Sequence, residues 1–554
     1  MIMLSCRNLL NILRVLFLLS LFLLPFYGMI YVRFVDGYDF LLHFHMIYTL
    51  ENSVRQGVLL PRWLPTAVYG YGSPILTFMW AAPYYLGVLL HMAGISFDAV
   101  FKVLLVLPTL LSGLGMYIWI KQKFGRFIGT IASVVYVWVP YRFVNTFKRG
   151  AIGELFFFGL FPFILYFLDQ ATNRKHIFLG SVTCALLIYS HQGLSLVGYT
   201  IFSFYILFQY INHQNTRLLS RQIRILAGGL LFSSFFWIPA IAYHKLLPFG
   251  HSITSEWFPP LFALIRSKWE GGMFEGRWLI FSYQIGITQL FIFFLSHTTF
   301  IYCLIKKKIN KLRLLSFWLL IFWLSIFFLQ PVSEWFWLHI PFIAYLQFPF
   351  RFLFIPMLCA SVLISELLSF VHRKIRLLLG IFIIILALYS NRNHLGVLEK
   401  YVDMNEFIKY NGTYDVGGEK LPTYVNLSQI EHEVKEAKSA NEFSVVQGNG
   451  QIITESRLDY SSTASIMMES DGKVMIRRIY FPGWNLIVNG HRLNVEEFTK
   501  TNGILLPLTK GSYTVHVFYK DPLLTVVANG ISIFSIFFFF YRYILRPLKL
   551  GRIR

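Results

Sequence analysis

The chain has 554 residues, of which 56% are hydrophobic, 18% aromatic and only 14% charged, with a mean hydropathy of +0.58. This composition excludes an ordinary soluble domain, whose surface needs more charge, and indicates a polytopic membrane protein. The net charge of +22 does not indicate nucleic-acid binding, because the Lys and Arg residues stand in short groups beside apolar runs. Such groups are typical of the cytoplasmic ends of membrane helices.

Apolar runs near the bilayer-spanning length of about 20 residues recur along the chain and predict about twelve transmembrane helices. The predicted spans are 9–30, 99–120, 126–140, 151–169, 176–190, 193–211, 222–243, 283–305, 313–330, 350–370, 377–391 and 523–541. Arg7 and Arg14 precede the first run without a small-residue cleavage site, so we expect a retained signal anchor. Placing the basic groups in the cytoplasm puts both termini inside, in a bacterial cytoplasmic membrane.

A long first outer loop is predicted over residues 31–98. Its apolar segment 74–92 would reverse the sidedness of every later basic group if it crossed the membrane, so we interpret it as a re-entrant or membrane-skimming helix. Residues 40–57 of the same loop mix polar side chains with Leu, Ile and Tyr, a pattern that predicts a second, interfacial helix.

The polar stretch 391–521 predicts a module outside the membrane. Its second half alternates apolar and polar residues at period two, which favours β-strands, and Asn489-Gly490 predicts a two-residue hairpin turn. Lys510-Gly511 predicts another turn, and the fold of 401–451 stays open. We therefore expect a transmembrane domain over 1–391, a mainly β module over 392–521, and a final helix with a basic tail over 522–554.

The outward ends of the predicted spans collect uncommon ionisable side chains, which are costly at a membrane boundary and so favour a functional site. The candidates are Asp36, Asp39, His43, Arg142, Arg149, Glu154, His191 and Arg351. Acids, bases and cations gathered on one face suit a lipid-linked substrate, whose tail stays in the bilayer while its charged head is held at the edge.

Each candidate also has a simpler interpretation. Asp36 and Asp39 provide a general base with an orienting partner, or form only a solvated acidic pair. Arginines bind phosphate groups of a substrate or of membrane lipids. Glu154 at a helix start and His191 at a turn also suit capping roles. His43 and His45 lie two residues apart, on different helix faces, so they do not indicate a metal pair; no cofactor is indicated and a divalent metal stays open.

Several motifs resemble the bacterial YfhO-like membrane proteins, some of which carry a pterin-synthase-related label and which are relatives of the GT-C glycosyltransferases. The resemblance rests on Gly37-Tyr-Asp39 with His43, Pro61-Arg-Trp63, Gly70-Tyr-Gly72, Pro140-Tyr-Arg142, Arg149-Gly-Ala-Ile-Gly-Glu154, Ser190-His191, Gln347-Phe-Pro-Phe-Arg351 and, in the β module, Tyr480-Phe-Pro-Gly-Trp484. It covers most of the chain.

The resemblance implies a GT-C-like fold and an inverting transfer of sugar from a polyprenyl-phosphate donor to an envelope glycan, polymer or lipid acceptor. It also implies a catalytic acid in the first outer loop, at Asp39 or less directly at Asp36. The chain departs from relatives in having Asp-Gly-Tyr-Asp instead of Asp-x-Asp and Gln192 after His191. Two other functions stay open: a transporter or flippase of a lipid-linked or envelope precursor, and a non-catalytic scaffold in envelope assembly.

Overall fold

The computed structural model of the protein describes residues 6–247, 257–274, 277–340, 343, 345–400, 421–436, 441–498 and 502–546. The helices within these ranges are α1 (Cys6–Leu23), α2 (Phe40–Arg55), α3 (Ile75–Phe78), α4 (Ala82–Met92), α5 (Phe97–Phe124), α6 (Arg126–Val137), α7 (Pro140–Phe143), α8 (Ile152–Asp169), α9 (Arg174–Ser190), α10 (Gln192–His213), α11 (Thr216–Phe232), α12 (Ser234–Tyr243), α13 (Ile287–Ile305), α14 (Ile309–Phe328), α15 (Glu334–His339), α16 (Phe354–Phe370), α17 (Arg373–Asn391), α18 (Leu427–Glu436) and α19 (Leu523–Phe540).

Strands form the rest of the regular structure. They are β1 (Phe34–Val35), β2 (Gly272–Phe274), β3 (Arg277–Leu279), β4 (Glu399–Lys400), β5 (Phe443–Gln447), β6 (Gly450–Leu458), β7 (Ser461–Met468), β8 (Gly472–Ile476), β9 (Trp484–Val488), β10 (His491–Leu493), β11 (Ile504–Leu508) and β12 (Gly511–Tyr519). The prediction of a polytopic helical membrane protein with a mainly β module before the last helix is confirmed.

Eight helices within the described ranges are long and apolar enough to cross a membrane, and three bent helix pairs raise this number to eleven. The bends measure 52° between α6 and the helix after it, 66° between α11 and α12, and 88° between α14 and α15. All twelve predicted spans lie on helices; α9, which carries the predicted span 176–190, has 17 residues. The segment 74–92 forms α3 and α4, of 4 and 11 residues, so neither is long enough to cross a bilayer.

Two helices lie at the centre of the bundle, and both begin at the same end. In α8, 72% of the apolar segment is buried inside the protein, and in the helical segment Pro349–Phe370, which contains α16, 94% of the apolar segment is buried. Glu154 lies in the first turn of α8, and Arg351 lies in the 3₁₀ turn Pro349–Leu353 that leads into α16. The two most enclosed helices therefore present their N-terminal ends, with these side chains, to one region of the protein.

The β module consists of two antiparallel sheets, with strand orders β10-β9-β12-β7-β6 and β11-β8-β5. Asn489 and Gly490 both have positive φ, of 49° and 82°, and connect β9 to β10 as the predicted hairpin. Lys510 precedes β12 and Gly511 begins it; β11 and β12 belong to different sheets, so the chain passes there from one sheet to the other.

The β module packs directly on the first outer segment. The Ser53 hydroxyl of α2 and the Tyr460 hydroxyl lie 2.7 Å apart, and the Ile479 amide donates to the Tyr71 carbonyl at 3.0 Å. The rings of Trp63 and Trp484 meet edge to face, with centroids 5.3 Å apart. These contacts join residues more than 400 positions apart, so the module braces the segment that carries Asp36 and Asp39.

Candidate functional site

Glu154 is the centre of a buried polar cluster, which we call the Glu154 cluster. Its Oε1 accepts hydrogen bonds from Arg149 Nη1 at 2.8 Å and from Arg351 Nε at 3.0 Å. Its Oε2 accepts from the Tyr141 hydroxyl at 2.8 Å and from Asn145 Nδ2 at 3.2 Å. A carboxylate has about four lone-pair sites, so this side chain is fully hydrogen-bonded although only 2% of it is exposed.

The backbone around Glu154 explains why the sequence reads Arg-Gly-Ala-Ile-Gly-Glu. Arg149 ends a π-helical turn, Val144–Arg149, and Gly150 reverses the chain with a φ of 68°. A Cβ atom at Gly153 would lie 2.4 Å from the Trp80 ring and 2.6 Å from the Ser190 carbonyl oxygen, so only glycine fits there. Wide helical turns of this type occur often at functional sites, where they redirect a side chain.

Both arginines of the cluster keep hydrogen-bonding capacity. Arg149 uses Nη1 for Asn145 and Glu154, and Arg351 uses Nε for Glu154 and Nη1 for the Leu346 carbonyl and Gln347. Within the described residues, no hydrogen bond engages Nη2 of either guanidinium, and neither Nη2 is among the fully buried polar atoms. One carboxylate and two guanidinium groups leave the cluster with one excess positive charge, which suits an anionic ligand.

Asp39 lies beside this cluster, at the start of α2. Its backbone amide donates to the Arg149 carbonyl at 2.9 Å, and the Tyr38 amide donates to the Lys148 carbonyl at 3.0 Å. A Cβ atom at Gly37 would lie 3.2 Å from the Arg149 carbonyl carbon, so the loop and the π-helical turn are in close contact. The carboxylate is partly exposed and accepts no hydrogen bond in the described part of the chain.

Asp36 has a different environment. Its Oδ1 accepts a hydrogen bond from the Gly37 amide at 2.9 Å, and its own amide donates to the Leu398 carbonyl at 2.8 Å. It follows β1, which pairs with β4, the strand after α17. Asp36 is thus held by the loop that it belongs to, whereas the Asp39 side chain is available to a ligand.

An aromatic layer connects His43 with His191. His43 Nδ1 and the Tyr84 hydroxyl are hydrogen-bonded at 2.7 Å, and the Trp80 ring stacks on both Tyr84 and His191, with centroids 5.0 and 6.1 Å apart. His191 also accepts a bond from the Leu194 amide at 3.1 Å, which caps α10 as the simpler interpretation predicts. Burial lowers the pKa of His191 to about 3, and the positive charge of Arg351 acts in the same direction, so this imidazole is neutral near pH 7.

The structure brings Asp39, Arg149, Glu154, His191 and Arg351 together and places His43 one aromatic layer away. It does not place the Arg142 guanidinium among them. Arg142 is fully buried, contacts the rings of Tyr136 and Phe158 at 5.3 and 5.5 Å, and approaches Met357 Sδ at 3.8 Å.

Four residues of this region were not among the sequence candidates. Tyr141 and Asn145 bind Glu154, and Trp80 and Tyr84 form the aromatic layer. The π-helical turn sets the side-chain directions of Asn145 and Arg149, and no sequence period predicts it. Trp80 and Tyr84 belong to the apolar segment 74–92, in which an aromatic residue gives no signal that separates a site from a membrane surface.

No cation site of the usual kind is present among the described residues, where no group of three or more His, Cys, Asp or Glu side chains is close enough to hold a metal ion. The two arginines of the Glu154 cluster instead give it the composition of an anion-binding site, and the Asp39 carboxylate lies beside it.

A family model described as 6-pyruvoyl-tetrahydropterin synthase related domain, membrane protein, matches residues 76–394, more than half of the chain. The chain belongs to this family. The match confirms the family that the sequence motifs resemble, and it includes Arg142, Arg149, Glu154, His191 and Arg351. It begins after Asp36, Asp39 and His43 and ends before the β module.

Two solved structures are similar to this family member over about two thirds of its length. Arabinofuranosyltransferase AftD from Mycobacteria matches 68% of this chain and 27% of its own at 12% identity, with a TM-score of 0.40. The Archaeoglobus fulgidus oligosaccharyltransferase, whose structure is a complex with Zn and sulfate, matches 69% of this chain and 52% of its own at 15% identity, with a TM-score of 0.40. The chain thus spans about a quarter of the first protein and about half of the second. No curated protein matches the chain.

Proposed function

We propose that the protein is an inverting membrane glycosyltransferase of the GT-C type, which transfers a sugar from a polyprenyl-phosphate donor to an envelope glycan, polymer or lipid acceptor. The reaction would take place at the outer face of a bacterial cytoplasmic membrane, with both termini inside. The observation that carries this proposal is the position of Asp39: its partly exposed carboxylate accepts no hydrogen bond in the described residues, and its backbone amide binds the carbonyl of Arg149, which shares Glu154 with Arg351.

Asp39 is the general base of the proposed reaction. It removes the proton from an acceptor hydroxyl as that oxygen forms a bond to the anomeric carbon of the sugar. The bond between this carbon and the phosphate oxygen breaks on the opposite side, so the configuration inverts and the phosphate leaves with the electron pair. Asp36 is the second choice for the base, because its carboxylate already accepts a bond from the Gly37 amide.

Arg149 and Arg351 hold the departing phosphate. Their free N–H groups stabilise the negative charge that develops on the leaving oxygen, an interaction that is stronger in a water-poor site than in bulk water. Glu154 positions both guanidinium groups and lowers the net charge of the cluster from two to one, which limits how tightly the product phosphate is retained.

His43, His191 and Arg142 complete the proposed substrate site in other ways. The rings of His43 and His191 both contact the Trp80 ring, with centroids 5.7 and 6.1 Å away, and an aromatic layer of this kind suits stacking on the sugar or on the acceptor. Arg142 would contact substrate only after a rearrangement, since its guanidinium is enclosed by aromatic rings. We therefore place it last among the proposed phosphate ligands.

The proposal is tested by mass spectrometry of lipid-linked sugars and envelope polymers from cells with and without the protein. We expect one sugar to be missing from an envelope component and the matching polyprenyl-phosphate sugar to accumulate in the deletion strain. Identical profiles in both strains would contradict the proposal.

A transporter or flippase of a lipid-linked precursor is the second candidate, favoured by the three bent helix pairs. Broken helices line the binding sites of many transporters, and the first pair contains both Arg142 and Arg149. Reconstituted vesicles separate the two functions: a flippase moves a labelled lipid-linked sugar across the bilayer without cleaving the sugar–phosphate bond, and a transferase cleaves it.

A further inference from the structure

A cavity of about 770 Å³ lies where the β module meets the last membrane helix. Three segments line it: residues 480–485, which lead into β9; residues 492–495, at the end of β10 and after it; and residues 520–526, which connect β12 to α19. None of the eight candidate site residues lines it. The cavity is therefore separate from the Glu154 cluster and is not used in the proposed glycosyl transfer.

One side of the cavity is positively charged. Arg492 and Lys520 are exposed cations on its lining, and Asp521 is the acid among the lining residues. Arg492 Nη2 donates to Asn485 Oδ1, and Asn485 Nδ2 donates to the Gly483 carbonyl at 2.8 Å, so a largely buried amide holds the guanidinium in place. The first turn of α19, with its free backbone N–H groups, adds a partial positive charge.

The negative charge of Asp521, the acid among the lining residues, is offset by a neighbouring cation. Asp521 makes a side-chain hydrogen bond with Asn529 of α19 and faces the positive charge of Arg62. Arg62 donates to Asn529 Oδ1 at 3.0 Å and to the Phe235 carbonyl at 2.7 Å. Because Arg62 offsets Asp521, the cavity keeps the charge of Arg492 and Lys520.

The opposite side of the cavity is apolar and continues onto the membrane helix. Leu523 and Val526, one turn apart at the start of α19, are 78% and 51% exposed and both line the cavity. The Trp484 ring forms part of the wall and is buried, and its Nε1 has no hydrogen-bond partner in the described residues.

From this arrangement we propose that the cavity is a binding site for an anionic amphiphile, whose phosphate group lies against Arg492 and Lys520 and whose acyl chain follows Leu523 and Val526 along α19. Fixed cations above an apolar helix surface match a lipid with a charged head group at the membrane boundary. Tyr480 and Asn494, two further lining residues, are able to hydrogen-bond a polar substituent on the phosphate. The inference does not depend on the proposed glycosyl transfer.

Native mass spectrometry of the full-length protein in detergent tests this site, with three probes: short-chain phosphatidylglycerol, phosphatidylcholine of the same chain length, and glycerol phosphate. We expect phosphatidylglycerol to bind at least tenfold more tightly than either other probe. Equal binding of the two lipids would show that the cavity does not select an anionic head group, and equal binding of glycerol phosphate would show that the acyl chain contributes nothing. Either result overturns the proposal.

Matched variants locate the binding. The pair Arg492→Ala and Lys520→Ala should weaken phosphatidylglycerol binding roughly 10- to 30-fold, while the control pair Lys473→Ala and Lys510→Ala removes the same charge from exposed positions elsewhere in the module and should leave binding unchanged. Val526→Trp fills the cavity with every charge retained and should also weaken binding. An equal loss in the control pair, or full binding by Val526→Trp, would contradict the assignment.

Discussion

The two ends of α8 each hold a carboxylate with four hydrogen-bond donors, and the difference between them indicates where a ligand binds. At one end is Glu154. At the other, about 22 Å away along the helix, Asp169 accepts bonds from Trp119 at 2.6 Å, Lys123 at 2.7 Å, Tyr205 at 2.8 Å and Gln209 at 2.5 Å.

The charge around the two acids is what separates them. Asp169 meets one cation, Lys123, which also donates to the Tyr205 hydroxyl at 2.7 Å, so the pair is neutral and internally satisfied. Glu154 meets two cations with spare donors, and the partly exposed Asp39 lies beside them. Because the hydrogen bonds of Glu154 and Asp169 are both satisfied, hydrogen bonding alone would give both acids a structural role. The excess positive charge and the available Asp39 carboxylate make only the Glu154 end a candidate site.

The largest expected effect is on catalysis by Asp39. Asp39→Asn should lower the transfer rate by roughly 10²- to 10⁴-fold, because the general base is lost while the side chain keeps its shape. Thermal unfolding should change little, since the carboxylate accepts no hydrogen bond in the described residues. Asp98→Asn, which alters another partly exposed acid of the first outer loop, is the control and should transfer normally.

Removing the acid at the other end of α8 should affect stability instead. Asp169→Asn removes the counter-charge of the partly exposed Lys123 and a charged hydrogen-bond acceptor, which should cost about 1–3 kcal/mol of unfolding free energy. Thermal denaturation in detergent measures this loss, and the transfer rate per folded molecule at low temperature should match the unaltered protein. A folded, stable Asp169→Asn protein without activity would remove the distinction between the two ends.

Charge-conserving changes sharpen the comparison. Arg351→Lys keeps the charge but not the planar fork of donors, so we expect KM for the lipid-linked donor to rise roughly 10- to 100-fold. Lys123→Arg at the Asp169 end should leave KM unchanged. Equal KM values for the two variants would mean that Arg351 does not contact the donor phosphate.

The smallest expected effect is a pH dependence from His191. Its pKa is lowered to about 3 in the folded protein by burial and by Arg351 and Arg149, against the partial opposition of Glu154. Below pH 6.5 the unfolded state therefore binds a proton that the folded state does not. The free energy of unfolding should decrease as the pH is lowered, by roughly 1 kcal/mol per pH unit. A His191→Gln variant should lose stability less steeply between pH 6.5 and 5 in thermal unfolding; an unchanged slope would contradict this.

Composition and periodicity predicted the parts of the fold that depend on local sequence. The apolar runs predicted the helices, and Asn489-Gly490 predicted the hairpin, because only residues that tolerate positive φ fit that turn. The pairing of β1 with β4 was not predictable, since two two-residue strands separated by more than 360 positions carry no mutual signal.

The candidate site was predictable in its residues but not in its connections. Charge at the outer ends of the predicted spans selected Arg149, Glu154 and Arg351, and the structure joins these three in one cluster. The charge pattern in the sequence gave Arg142 the same weight. A sequence shows that a charged residue is near a membrane boundary, but not whether its side chain turns toward a site or into a layer of aromatic rings.

The most direct test is the transfer rate of the purified, reconstituted protein in which both candidates for the general base are replaced, Asp36→Ala with Asp39→Ala. With the lipid-linked sugar that accumulates in the deletion strain as donor, we predict no transfer by the double variant and normal transfer by Asp98→Asn. Full transfer by the double variant would contradict the account, because neither candidate for the general base would then be needed.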